Sequence, residues 1–162
     1  YLSPELFQDG FKPAIDLGLS VSRIGNKVQC PAMRSLCGNL RLQYVQYREL
    51  ANVTKMRSMV SKEALERLKK GRAAVEILKQ YKNRPVDLVE QILLFYALKK
   101  GILDTYPPQV LERFKDQFYV YADERHHDLV QKIREELSLS DTLKERLDRV
   151  LTEYLQQSGA LV

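Results

Sequence analysis

Residues 14–22, AIDLGLSVS, alternate between two faces. Ile15, Leu17, Leu19 and Val21 share one; Asp16, Gly18, Ser20 and Ser22 share the other. This period of two predicts a half-buried β-strand. No second strong strand follows it. A lone strand leaves a row of backbone N–H and C=O groups without partners. The expectation is therefore that its partner strands lie in sequence beyond these residues or in another chain.

From Pro31 onward the pattern changes to spacings of three and four. Pro31 suits a first helical turn, and Met33, Leu36, Leu40, Tyr44, Tyr47 and Ala51 then form one apolar stripe. Ser61 is placed to cap a second helix carrying Leu65, Leu68, Ala73, Val75 and Leu78. Asn83-Arg84-Pro85 ends it. A third helix starts near Asp87 and closes at Gly101, a suitable C-terminal residue. It is apolar nearly all round, which predicts central burial. Pro107-Pro108 open a long helix through Phe114, Phe118, Tyr121, Leu129 and Ile133, with a break expected near Asp123. Ser140 caps a last helix with Leu143, Leu147, Val150, Leu151 and Tyr154 inward. The fold class read from this is mainly α: one strand, then a bundle of five to six helices.

Composition narrows the function classes. Of the 162 residues, 44% are hydrophobic and 29% charged, which is ordinary for a globular chain. The longest apolar run, Ile92–Leu98 with its flanks, is about ten residues, short of the ~20 that cross a bilayer. The chain opens on Tyr1 without a secretory signal pattern, as expected of a start after processing or inside a longer chain. The net charge of +5 is uneven. Residues 41–84 carry 12 Lys and Arg against 4 Asp and Glu, while residues 107–162 carry 8 against 11. Such a basic segment can meet phosphates, an acidic protein surface or only solvent.

Catalytic signatures are few. No GxxxxGK[ST] loop is present to cradle a triphosphate. Cys30 and Cys37, if on one helix, lie ~10 Å apart along its axis, too far for a disulfide. His126 and His127 are adjacent, so they point to different faces and cannot share a metal in the i,i+4 manner. No metal-ligand cluster is read. Alone, the chain does not read as a self-sufficient enzyme.

Five segments together carry a resemblance: LFQDGFKPAIDLGLSVSRIGN at 6–26, LCGNLRLQYVQYRELA at 36–51, ALERLKKGRAAVEILKQ at 64–80, VEQILLFYALKKGILD at 89–104, and the tail KIREELSLSDTLKERLDRVLTEYL. They resemble the alpha-subunit family of F-type ATP synthases, in its C-terminal portion only. The resemblance implies that residues 1–26 end a nucleotide-binding domain, whose parallel sheet takes the orphan strand, and that 27–162 form the C-terminal helical domain. The P-loop and the N-terminal β-barrel of the family would lie outside this sequence, so the chain is expected to be stable only beside them. The extended tail resembles mitochondrial and related bacterial versions, which implied a peripheral location on the matrix side of the mitochondrial inner membrane.

The family's functional residues map onto single positions here. Arg23, in SVSRIG, matches the arginine finger that reaches an adjacent beta-subunit catalytic site. A guanidinium is always charged and forks onto phosphate oxygens, which suits that role. Phe7, Lys12, Pro13, Gln80 and Lys82 match positions around the base of the alpha subunit's non-catalytic nucleotide. Lys12 stands where the family has Arg, and Lys82 where it has the second Gln of a Gln-x-Gln pair. Lysine has no acceptor, so base recognition is expected to differ. Arg57, Ser58, Met59, Val60 and Ser61 replace an acidic turn that faces the rotating gamma subunit. The implied cofactors are ATP or ADP with Mg at the complete alpha and beta sites, with no metal ligand from this chain. The implied partners are the rest of the alpha subunit, beta, gamma and peripheral-stalk subunits, without membrane insertion. The competing reading is an unrelated helical nucleic-acid-binding or adapter module that uses residues 41–84; its support is charge alone, without a base-reading motif.

Overall fold

The computed structural model describes residues 1–54 and 61–158. Among these, the chain forms nine helices. They are α1 (Pro4–Gln8), α2 (Gly25–Val28), α3 (Pro31–Cys37), α4 (Leu40–Thr54), α5 (Lys62–Leu78), α6 (Leu88–Lys99), α7 (Pro108–Arg125), α8 (His127–Glu136) and α9 (Asp141–Gln157). The mainly helical class holds. Several starts follow the predicted chemistry: the Ser61, Asp87 and Ser140 side chains accept from Ala64 N, Val89 N and Leu143 N. Gly101, at φ 72°, ends α6 in the left-handed conformation that suits glycine.

The expected strand does not form among the described residues. Only an isolated antiparallel bridge, Leu2 with Ile15, remains of it. The cause lies one residue on. Asp16 Oδ1 accepts from Gly18 N at 2.8 Å and Leu19 N at 3.1 Å, and Ser20 N donates to Asp16 O at 2.9 Å. This side-chain turn bends the chain where the alternation continues on paper. Leu17 alone of the apolar face packs partly inward; Leu19 and Val21 stay exposed, at 64% and 76%.

Two breaks sit elsewhere than expected. The first stripe is split between α3 and α4 at Gly38-Asn39, although Met33 and Tyr44 are both buried as the period requires. The α7–α8 break falls at His126, not Asp123, with His126 at φ −134° and ψ 42°. Leu137 ends α8 at φ 47°, and its carbonyl accepts from Ala32 N at 3.0 Å, which ties α8 to the start of α3.

The core is built around α6. Val89, Ile92, Leu93, Leu94, Tyr96 and Ala97 are all buried, matching its all-round apolar character. An aromatic group from α7 and α9 closes one side. Phe114 and Phe118 stack at 4.7 Å, and Tyr154 meets their edges at 5.6 and 5.3 Å. A second, smaller cluster of Leu6, Phe11, Ala14 and Tyr44 fastens the N-terminal segment, with Val75 and Leu78 of α5 against it. Helices α4 and α5 approach closely at Gly71, where a Cβ would overlap the Tyr47 side chain.

Much of the basic excess in 41–84 is satisfied internally. Arg41 Nη2 donates to Gly18 O at 2.9 Å, and Arg72 Nη2 to Tyr106 O at 3.3 Å. Arg48 pairs with Asp16, Lys69 with Glu66, Lys79 with Glu76 and Arg84 with Asp116. The two cysteines are free thiols at the ends of α3. Burial, and to a lesser degree Cys30, pushes the Cys37 thiol up to about 11. Among the described residues no helix is long and apolar enough to cross a membrane.

Candidate functional site

Two chain segments meet at one end of α5. On the first, Ser3 caps α1 by accepting from Leu6 N, and Leu6 turns into the small cluster. Its neighbour Phe7 then faces out and is 60% exposed. A turn at Gly10, φ 76°, brings Phe11 back to bury its ring 5.7 Å from Tyr44. Lys12 and Pro13 follow, joined by a cis peptide bond. On the second segment, α5 stops at Leu78 and the chain continues through Gln80, Tyr81 and Lys82. Gln80 N donates to Lys12 O at 2.7 Å, which locks the two segments together.

Between them lies a cavity of about 850 Å³. Phe7, Lys12, Pro13, Gln80 and Lys82 all line it. These five positions, from two stretches far apart in sequence, are therefore brought into one site. No carboxylate is among the lining residues, while two lysines are. The Lys12 ammonium stands 5.0 Å from the Phe7 ring centroid, a cation–π distance. Phe7 supplies an apolar ring, the lysines supply donors, and Gln80 supplies an amide with both donor and acceptor. Such a set binds planar, acceptor-bearing or anionic groups; it offers no nucleophile paired with a base.

Tyr81 is a lining residue that the sequence reading missed. Its hydroxyl lies 2.9 Å from Glu112 Oε1 and 3.2 Å from Asp116 Oδ2 on α7. Burial first, then these acids, hold its hydroxyl well above the ordinary tyrosine range, so it stays a donor. Lys115 and Arg84 flank its ring at 4.8 and 5.7 Å. Lys115 Nζ also donates to Lys79 O at 3.2 Å, and burial pushes its ammonium below the ordinary lysine range. Thus α7 fixes the wall that carries Gln80 and Lys82. The only signal for Tyr81 in sequence was its place between two site positions.

Arg23 does not line this cavity. It is exposed, on a bend just before α2, where Ser22 Oγ accepts from Gly25 N at 3.0 Å and turns the chain. Its neighbours Val21, Ile24 and Val28 are exposed aliphatics. Among the described residues it forms no salt bridge. Of the residues expected to face a rotor, Arg57, Ser58, Met59 and Val60 lie outside the described residues; Ser61 is the α5 cap. A second cavity, of about 310 Å³, lies among α3, α4 and α6. Asp104 on its wall is buried, which raises its carboxyl above the usual range. None of the candidate site residues read from sequence lines that cavity.

Comparison with known proteins follows the same lines. Residues 29–154 match the family model described as the ATP synthase alpha/beta chain, C-terminal domain. The chain is 38% identical over 159 residues to "ATP synthase subunit alpha" of Streptococcus pneumoniae strain Hungary19A-6, and equally to that of strain CGSP14. Each alignment covers 98% of this chain and 31% of the relative, so the chain spans about a third of the length of the curated relatives it matches. These relatives are bacterial and have no mitochondria. The expected mitochondrial location is thereby overturned. A long helical tail is a feature of lineage and packing and carries no compartment signal.

Proposed function

The chain belongs to the ATP synthase alpha/beta chain family and carries its C-terminal domain, and from that premise we propose that it is the C-terminal part of an alpha subunit in the catalytic head of a proton-driven rotary ATP synthase. Residues 1–26 finish the nucleotide-binding domain, and 27–162 make the helical domain. The proposed partners are the rest of the alpha subunit, beta subunits, the gamma rotor and the peripheral stalk. A nucleotide with Mg occupies the complete alpha and beta sites, and this chain contributes no metal ligand.

One observation carries the reading: Phe7, Lys12, Pro13, Gln80 and Lys82 converge on a single cavity. The proposed role of that cavity is part of the wall around the base of the non-catalytic nucleotide. A ring, an amide and cationic donors without a facing carboxylate suit a nucleotide far better than a peptide or a metal. Arg23 serves as the arginine finger. Its exposed bend lets the guanidinium reach across a subunit boundary and stabilise charge on the transferring phosphoryl group. The helices surround the rotor as a collar, with Ser61 at its edge.

The test is nucleotide retention by the assembled complex after gel filtration. Phe7→Ala combined with Gln80→Ala should lower the bound nucleotide per alpha subunit about tenfold or more, while beta-site nucleotide stays. Unchanged retention removes the assignment. The nucleic-acid reading gains no observation here, because many of the cations in 41–84 already have partners within the chain.

A further inference from the structure

Resting on the nucleotide reading of the cavity, we propose that Lys12 and Lys82 make it a site for a 6-oxopurine nucleotide, guanine or hypoxanthine, in preference to adenine.

Side-chain donors outnumber side-chain acceptors at this site. An ammonium has three donors and no acceptor. Lys12 and Lys82 both line the cavity, and neither forms a salt bridge or side-chain hydrogen bond with a described residue. Their donors are thus available to a ligand. Tyr81 has its hydroxyl directed at Glu112 and Asp116, and Ser3 Oγ already accepts from Leu6 N. That leaves the Gln80 amide as the one side chain at the site with an uncommitted strong acceptor. The cavity therefore has an excess of donors and asks for a ligand edge rich in acceptors.

Purines differ on this point. Guanine presents two adjacent acceptors, O6 and N7, whereas adenine presents N7 beside an N6 amine that donates. Lysine facing O6 and N7 makes charge-assisted hydrogen bonds. Lysine facing the adenine N6 amine sets donor against donor and leaves an ammonium unpaired near the base. Gln80 does not decide the matter, since an amide can pair with either base. Hypoxanthine shares O6 and N7 with guanine, so it belongs to the preferred class. The ammonium of Lys12, held over the Phe7 ring, adds its donors beside the surface on which the base would stack. The cavity is open and water screens its charges, so the expected preference is about tenfold rather than thousands.

The chain contains no tryptophan. Phe7→Trp therefore places one tryptophan in the cavity while keeping an aromatic surface. Quenching of its fluorescence by GDP, IDP and ADP is measured on the full-length subunit assembled with its partners, with the tryptophan-retaining and parent complexes compared to subtract other signals. All three ligands carry the same diphosphate, so their ratio reads the base alone. GDP and IDP should bind about tenfold more tightly than ADP, and adding Lys82→Gln should shrink that ratio to about threefold or less. Lys82 is exposed, so this substitution leaves the fold alone. Binding of ADP equal to or tighter than GDP overturns the preference and leaves the nucleotide site standing. A ratio that Lys82→Gln leaves unchanged also overturns it. If none of the three quenches the tryptophan, the nucleotide reading itself falls, and the preference with it.

Discussion

The N-terminal segment and the helical bundle follow opposite rules. In residues 1–28, Leu2, Phe7, Leu19, Val21, Ile24 and Val28 are exposed, and one small cluster around Leu6, Phe11 and Tyr44 holds the segment down. In the bundle, the main cluster joins α3 to α5 through α9, and six of the α6 side chains are buried in it. Yet the candidate functional positions Phe7, Lys12, Pro13 and Arg23 lie in the first region, and Gln80 and Lys82 lie where it touches the second. Burial stabilises the bundle and leaves little chemistry on its inside. The segment keeps its polar and aromatic groups available because it buries so little.

The largest effect that would break this contrast is catalytic. Arg23→Lys in the assembled complex should lower ATP turnover by about 10³-fold or more, with subunit stoichiometry unchanged. Lysine keeps the charge and loses the bidentate fork. Normal turnover by the variant would remove the arginine-finger role of the N-terminal segment.

Next comes packing. Phe118, 2% exposed and in contact with Phe114 and Tyr154, should cost about 3–5 kcal/mol when replaced by alanine. Leu19→Ser, on a residue 64% exposed, should cost less than about 0.5 kcal/mol. Urea titrations of both variants check the pair, and similar costs would erase the distinction between the regions.

A smaller effect is expected at the α4–α5 crossing. Gly71→Ala adds a methyl where the Tyr47 side chain already stands. The helices must separate, so the expected loss is about 1–3 kcal/mol, seen as a lower Tm, despite the better helix propensity of alanine. The nearest atom is the Tyr47 Cβ, so Tyr47→Gly in the same chain should return part of that loss.

The smallest concerns pH. Arg134 donates to Asp87 at 3.0 and 3.1 Å, and this, more than the Asp87 bond to Val89 N, holds the Asp87 carboxyl below the ordinary aspartate range. A depressed carboxylate adds stability above its unfolded pKa of about 4, and that stability is lost as pH falls through the lower folded value. Asp87 is partly exposed, so the contribution is about 1 kcal/mol or less after screening. Asp87→Asn keeps the α6 cap and should flatten stability against pH on the acid side of about 4, as followed by thermal melts.

Much of the bundle was legible in sequence, for particular reasons. Ser61, Asp87 and Ser140 are caps because their oxygens reach backbone N–H groups two or three residues on, within one helical turn. The Ile92–Leu98 run had to be central because no polar face was left to meet water. The strand failed because alternation records which residues could share a face and says nothing of a neighbour. With only Leu2 opposite Ile15, the local Asp16 turn prevailed. The D-L-G triplet was a turn signal inside the alternating run.

Sequence alone determined the helical class, the caps, the central helix and the family, because each rests on local periodicity, on groups a few residues apart, or on motif identity. The likeness also named Phe7, Lys12, Pro13, Gln80 and Lys82 one by one. Only the tertiary structure decided that they share a cavity, that Tyr81 is braced against α7 beside them, and that Arg48 and Arg84 are occupied by Asp16 and Asp116. Those outcomes depend on contacts between residues about thirty or more apart in sequence, such as Gln80 N to Lys12 O and Tyr81 to Glu112. Chain spacing does not encode such distances; they are set by how α4, α5 and α7 pack, down to the room that Gly71 leaves for Tyr47.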